Sequence, residues 1–358
     1  MRFVSQKPWV GNLLAVLAGF LMAALLVGAA EGALRLKVFL STPDRIGGTF
    51  HGGLRYGGVL GLEATPGTSL RCGVTRGGRV LYDAVCTADG AGRRRTPCAP
   101  AGPDARAALF FGCSFTHGVG VADEETLPAR YCVHAGNIEA LNYGFSAYGP
   151  QQTWLQICKL NALEPFRGRG GIVVYTFIDD HIPRLIGTPE VVSSWPFTLP
   201  WLELEDGHVV HRGFFSDRNP LQYYYLRYVR ALHLCRFVEN HVPRRPAPPP
   251  SREKALDFLS RLLLECAEKT AETSPELTFC VLIFPESAGA WGADLAERLK
   301  DSSIRVLDYQ TLFSAREGGV ESLFFEDNPV YRLGHPTAEA YDLVARQLAL
   351  DTAVKAAP

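Results

Sequence analysis

Residues 105–120 read ARAALFFGCSFTHGVG, and the fold turns on them. The first eight positions are almost wholly apolar and stop at Gly112. A short apolar run closed by a turn signal suits a fully buried strand of a parallel sheet, because both faces of such a strand are covered. The Gly-Cys-Ser-Phe-Thr-His-Gly segment that follows is a turn leading toward a helix from about Leu127. Further along come a strand EALNYG (139–144), an amphipathic helix QQTWLQICKLNAL (151–163) and an apolar strand GIVVYTFI (171–178). The alternation resumes with LTFCVLIFP (277–285), a helix near 289–299, IRVLDY (304–309) and a last helix within PTAEAYDLVARQLAL (336–350). Strands alternating with helices predict an α/β domain over 105–352, built on a doubly wound parallel sheet.

One segment, 186–250, breaks the pattern. It holds an aromatic, Pro-rich piece (SWPFTLPWLELEDGHVVHRGFF, 194–215), a helix near 219–240 and the linker RRPAPPPS (244–251). The Asp206-Gly207 pair between extended runs predicts a hairpin turn. The segment reads as an insertion, or cap, over the active edge of the sheet. Trp195 and Trp201 in it suit either a sugar-stacking platform or a small core under the cap, and Tyr223, Tyr224 and Tyr225 read as packing.

Upstream, residues 9–30 run WVGNLLAVLAGFLMAALLVGAA after an eight-residue tail, with Asn12 the one strongly polar member. Roughly 20 apolar residues cross a hydrocarbon core, so a single-pass membrane anchor is expected. A cleaved signal peptide is the alternative, because small residues cluster at Gly28, Ala29 and Ala30, although its apolar region is usually shorter, about 7–15 residues. Lys and Arg flank both ends, so charge does not orient the span; a short tail before a first span usually stays inside, which exports the rest. Residues 31–104 are expected to form a juxtamembrane extension: an outgoing helix (ALRLKVFL, 33–40), then a Gly-, Arg- and Pro-rich segment with β-like runs such as RVLYDAVCTAD (79–89).

Composition narrows the function classes. A formal net charge of −1 and a hydrophobic share of 47% describe a globular chain with no basic surface for nucleic acid. The nine cysteines match no metal-site spacing. Cys72, Cys86 and Cys98 lie in a loop-rich stretch and can pair in an oxidising compartment, whereas Cys132, Cys158, Cys266 and Cys280 read as buried thiols. No cofactor fingerprint is present.

Ligands of an open parallel sheet bind beyond the C-terminal strand ends. Ser114 sits there, just past the 105–112 strand and at the start of a helix, where backbone N–H groups can face a developing oxyanion. An N-capping serine in a glycine-rich turn explains the same residues equally well. Asp123, Glu124 and Glu125 favour a helix dipole rather than a metal.

The wider pattern resembles the SGNH (GDSL-like) hydrolases, specifically their membrane-anchored bacterial members. GCSFTHGVGVADEETLP (112–128) is similar to that family's first block, LNYGFSAYGPQQ (141–152) to the second, VVYTFIDDHIPR (173–184) to the third and GHPTAEAYDLVA (334–345) to the last. The four stand in family order, and YDAVCTADGAGRRRTP (82–97) resembles a segment that precedes the first block. The resemblance implies a three-layer, flavodoxin-like sheet. It implies Ser114 as nucleophile and His335 as general base, with Ser114, Ala147 and Asp179 at the oxyanion hole, and Asp180 and His181 either binding substrate or holding the loop together. The family's triad acid stands two or three residues before the histidine; Arg332 and Leu333 are there instead, and Asp327 is the nearest stand-in. Cys113 replaces a structural Asp, Ala147 a Gly and Asp179 an Asn. The implied activity is that of a serine esterase or O-acyltransferase acting on an acylated small molecule or cell-envelope glycan, tethered by its N-terminal helix in a bacterial inner membrane with its domain in the periplasm. A weakly active or inactive SGNH-fold protein that binds a glycan or scaffolds an envelope complex is the alternative.

Overall fold

The computed structural model describes residues 8–41, 46–99, 102, 104–194, 199–241, 251–285, 290–314, 316, 319–327 and 334–353. Strands are numbered in chain order: β1 (Ile46–Gly52), β2 (Leu54–Gly57), β3 (Gly61–Ala64), β4 (Ser69–Arg76), β5 (Arg79–Thr87), β6 (Arg106–Phe111), β7 (Ile138–Asn142), β8 (Gly171–Phe177), β9 (Pro200–Glu205), β10 (His208–Phe214), β11 (Leu277–Ile283) and β12 (Arg305–Asp308).

The central sheet has five strands in the order β12-β11-β8-β6-β7, all paired in parallel. Within the domain this is the flavodoxin-like 2-1-3-4-5 order, and it is the doubly wound α/β fold that the alternation of elements predicts. Side chains of β6 divide between the two faces: Ala107, Leu109 and Phe111 enter one core, Ala108 and Phe110 the other. Strands β8 and β11 divide likewise, with Tyr175 and Val281 on one face and Val174 and Leu282 on the other. Two cores flanking one sheet make three layers.

The helix Arg252–Thr273, absent from the sequence reading, covers the first face. Its signals are present in the chain: Ser251 accepts the backbone N–H of Lys254, and Leu256, Leu259, Leu263 and Cys266 recur on one buried stripe. The helix Ala338–Thr352 covers the other face beside Leu127–Ala135.

The extension is a three-stranded antiparallel sheet, β1-β4-β5, and a β2-β3 hairpin. Its Leu60, Leu62, Leu70, Cys72 and Tyr82 are buried in the same core as β6 and β8, so 105 marks no break in packing. Cys98 and Cys132 form a disulfide, with Cα atoms 5.6 Å apart, that ties the end of the extension to the helix Leu127–Ala135. Cys132 is therefore not the buried thiol its apolar setting suggested; its partner reaches it through the fold. Cys72 and Cys86 are buried free thiols that hydrogen-bond each other.

In the insertion, β9 and β10 form a hairpin at Asp206-Gly207, both with positive φ (51° and 79°), as a two-residue turn of the left-handed type requires. The helix expected near 219–240 is divided into Pro220–Tyr224, a π turn Tyr225–Val229 and His233–His241. Trp201 is half-buried beneath Arg218, whose guanidinium lies 5.5 Å from the ring, and Trp195 lies outside the described residues. Among the described residues, one helix, Pro8–Ser41, is long and apolar enough to cross a membrane.

Candidate active site

Ser114 opens a single helical turn, Ser114–His117, directly beyond the C-terminal end of β6. It is nearly buried, at 8% exposure. The second block is laced to this turn. Asn142, at the end of β7, donates from its amide to the Thr116 carbonyl (2.9 Å) and accepts the N–H of Gly144 (3.0 Å). A Cβ on Gly144 would lie 2.6 Å from Thr116 Cβ, so only glycine lets the two loops approach this closely. The loop then carries Ala147 at φ 69°, a left-handed backbone that costs a non-glycine residue about 1 kcal/mol. Local strain of this kind is retained where the surroundings fix it.

His335 precedes the last helix, and its ring centroid is 5.8 Å from that of Phe115, the neighbour of Ser114. Its Nδ1 is 2.6 Å from Asp327 Oδ2, while Asp327 Oδ1 accepts the backbone N–H of His335 at 2.9 Å. The pair fixes the tautomer: Nδ1–H donates to the carboxylate and Nε2 is left as the basic nitrogen. Gly334 makes this approach sterically feasible, since a Cβ there would sit 1.8 Å from Asp327 Oδ1. Burial pushes the Asp327 carboxyl up, yet the hydrogen bonds from His335 and Tyr82 outweigh it and hold its pKa below the ordinary value. No hydrogen bond joins Ser114 Oγ to the imidazole among the described residues; such contacts commonly tighten only when substrate is bound.

Sequence reasoning missed Tyr82. From β5 of the extension, its hydroxyl donates to Asp327 Oδ2 at 2.9 Å and its ring lies 4.9 Å from that of Phe325. Arg76 pairs with the neighbouring Glu326 at 3.2 Å. The loop carrying Asp327 is thus held by the extension, eight residues before the histidine. Only the similarity of 82–97 to a family segment hinted that this region belongs with the site.

The third block departs from expectation. Burial, and then the charge of Asp180, raise the Asp179 pKa to about 6, against the backbone N–H groups of Gly292 and Trp291 that it accepts. A carboxylate occupied in accepting N–H groups at the start of the helix Ala290–Leu299 is not an oxyanion donor, so that expected role does not fit Asp179. His181 is fully buried, with Nδ1 2.6 Å from the Tyr175 hydroxyl and its ring against Phe177. Burial holds its imidazole neutral, well below the usual histidine range, and no surface is left to meet a substrate. Asp180 stands at the edge, 3.4 Å from Arg184. Arg184, itself nearly buried, donates to the Tyr148 carbonyl at 2.7 Å and so joins the third block to the second. Cys113 is fully buried and its thiol is pushed up by burial, which leaves it inert. Asp123 opens the 3-10 turn Asp123–Glu125, at a helix start as expected, and also forms a buried pair with Arg94 at 3.0 Å. No group of three His, Cys, Asp or Glu side chains among the described residues is placed to hold a metal ion.

No family model matches the sequence, and no curated protein matches it. Among solved structures, the chain is similar to a lipolytic protein of the G-D-S-L family from Veillonella parvula, at 14% identity and a TM-score of 0.41 over 70% of this chain and 100% of that one. It is similar to an extracellular lipase from Streptomyces rimosus, at 16% identity and a TM-score of 0.40 over 70% and 100%. It is also similar to an acetylxylan esterase from Geobacillus stearothermophilus, at 11% identity and a TM-score of 0.39 over 72% and 98%.

Proposed function

We propose that the chain is a membrane-tethered serine esterase or O-acyltransferase that works through an acyl-enzyme on Ser114. The observation that carries this reading is the 2.6 Å contact between His335 Nδ1 and a nearly buried Asp327, made beside the turn that bears Ser114. In this mechanism Nε2 of His335 takes the hydroxyl proton as Ser114 Oγ attacks an acyl carbonyl. The backbone N–H groups of Ser114 and Ala147 stabilise the oxyanion. Collapse expels the alcohol with the proton from His335, and water or an acceptor hydroxyl then releases the acyl group. Asp327 orients the ring and stabilises the imidazolium.

The Cys98–Cys132 disulfide supports an exported domain, since such bonds persist in oxidising compartments. The exposed apolar helix Trp9–Ser41 supports an inner-membrane tether with the domain in the periplasm. An acylated envelope glycan or small acyl ester is the substrate class that this location suits. A fluorophosphonate probe tests the reading on wild type and Ser114→Ala. Labelling of the wild type alone is expected; a folded wild type that stays unlabelled supports a glycan-binding or scaffold protein instead.

A further inference from the structure

The apolar N-terminal helix runs into the insertion rather than away from the protein. Both carboxylate oxygens of Glu31 accept backbone N–H groups at the start of the helix His233–His241, from His233 at 3.1 Å and Leu234 at 2.8 Å. Ala30, Glu31 and Leu34 are the half-buried positions of an otherwise exposed helix. Roughly 20 residues counted from Trp9 fill a hydrocarbon core, so Glu31 stands at its boundary. The helix it caps stands at the same level.

Just before that helix in the chain, the insertion turns an apolar side outward. Leu221 (85% exposed), Tyr224, Tyr225 and Tyr228 (62% exposed) recur at i, i+3, i+4 and i+7, the spacing of one helical stripe. In a water-surrounded domain such a stripe faces the core. Here Leu226 is the buried apolar residue of the turn, while Arg230 faces Glu239 at 3.0 Å and Glu190 at 3.2 Å. Tyr224 and Tyr228 stack with centroids 5.8 Å apart, and Phe237 and Val238 extend the exposed apolar surface onto the capped helix. Tyrosines with an apolar body and a polar tip suit the boundary between acyl chains and headgroups. Exposed Lys37 and Arg236 on the two joined helices suit anionic headgroups, and Arg35 pairs with Glu31 at 2.7 Å.

We infer that residues 220–241 lie on the bilayer, on the leaflet from which the tether emerges, with Leu221, Tyr224, Tyr228 and Phe237 in the headgroup layer. The occupant of this face is the lipid surface, and the catalytic domain is held at a fixed attitude to it through Glu31. The inference rests on the tether reading above, which a separate measurement checks. p-Benzoylphenylalanine is placed at Leu221, at Tyr228 or, as control, at Leu350 (67% exposed on the last helix) of the full-length chain in membranes. The same membranes are extracted with alkaline carbonate. Retention in the pellet with lipid adducts at 221 and 228, and none above background at 350, is the expected result. Retention with adducts to a protein, or with no lipid adducts, overturns the bilayer contact and leaves the tether standing. Release by carbonate overturns the tether, and the bilayer contact falls with it.

Discussion

At the residue scale the site depends on Asp327 and on what holds it. Asp327→Asn offers the imidazole the wrong partner and is expected to lower turnover by about 10⁴-fold with little change in KM, read with an activated ester. Tyr82→Phe removes one hydrogen bond to the carboxylate, worth about 1 kcal/mol, and is expected to cost about fivefold in the same assay. The Asp327 carboxyl, depressed by its partners, contributes stability above the ordinary aspartate pKa and loses it as acid protonates it. Asp179 has the opposite sign. Its raised pKa means the native state holds a proton that the unfolded chain has released, so stability falls as pH rises through the window up to about 6. Asp179→Asn accepts the same backbone N–H groups without ionising. It is expected to raise stability near pH 7 by about 1 kcal/mol, discounted for partial exposure, and to give no gain below about pH 4 in thermal melts. Ser114 and His335 stand out in the sequence because each sits in a local motif. The part played by Asp179 was not, since the helix start it meets lies over a hundred residues away.

At the element scale, strands were legible because a covered parallel sheet demands unbroken apolar runs, and β6, β8 and β11 supply them. The helix Arg252–Thr273 is masked in the sequence by the Pro-rich run before it, which has the composition of a linker, although the Ser251 cap and the apolar stripe mark its start and its buried face. The insertion's helices were harder still: an apolar stripe predicts a helix but not which way it faces. The loop-to-loop approach at Gly144 gives a sharp test. Gly144→Ala places a Cβ against Thr116 and 3.0 Å from the His117 backbone nitrogen, which neither can yield without moving the turn that bears Ser114. A loss of about 1–3 kcal/mol is expected in denaturant melts, together with slower fluorophosphonate labelling.

For the whole molecule, the Cys98–Cys132 bond closes a loop across a sequence separation of 34. Cys132→Ser is expected to cost roughly 3 kcal/mol, seen as a lower midpoint that added reductant no longer shifts, whereas reductant lowers the wild-type midpoint. The sequence could not pair these two cysteines, because their meeting depends on how the extension folds back over the sheet. That folding back has a practical meaning. A chain trimmed to begin at Ala105 keeps every one of the four motifs, yet it strips a wall from the core and removes the phenol that donates to Asp327. The unit one would draw from the four motifs alone is therefore smaller than the unit that packs as one core.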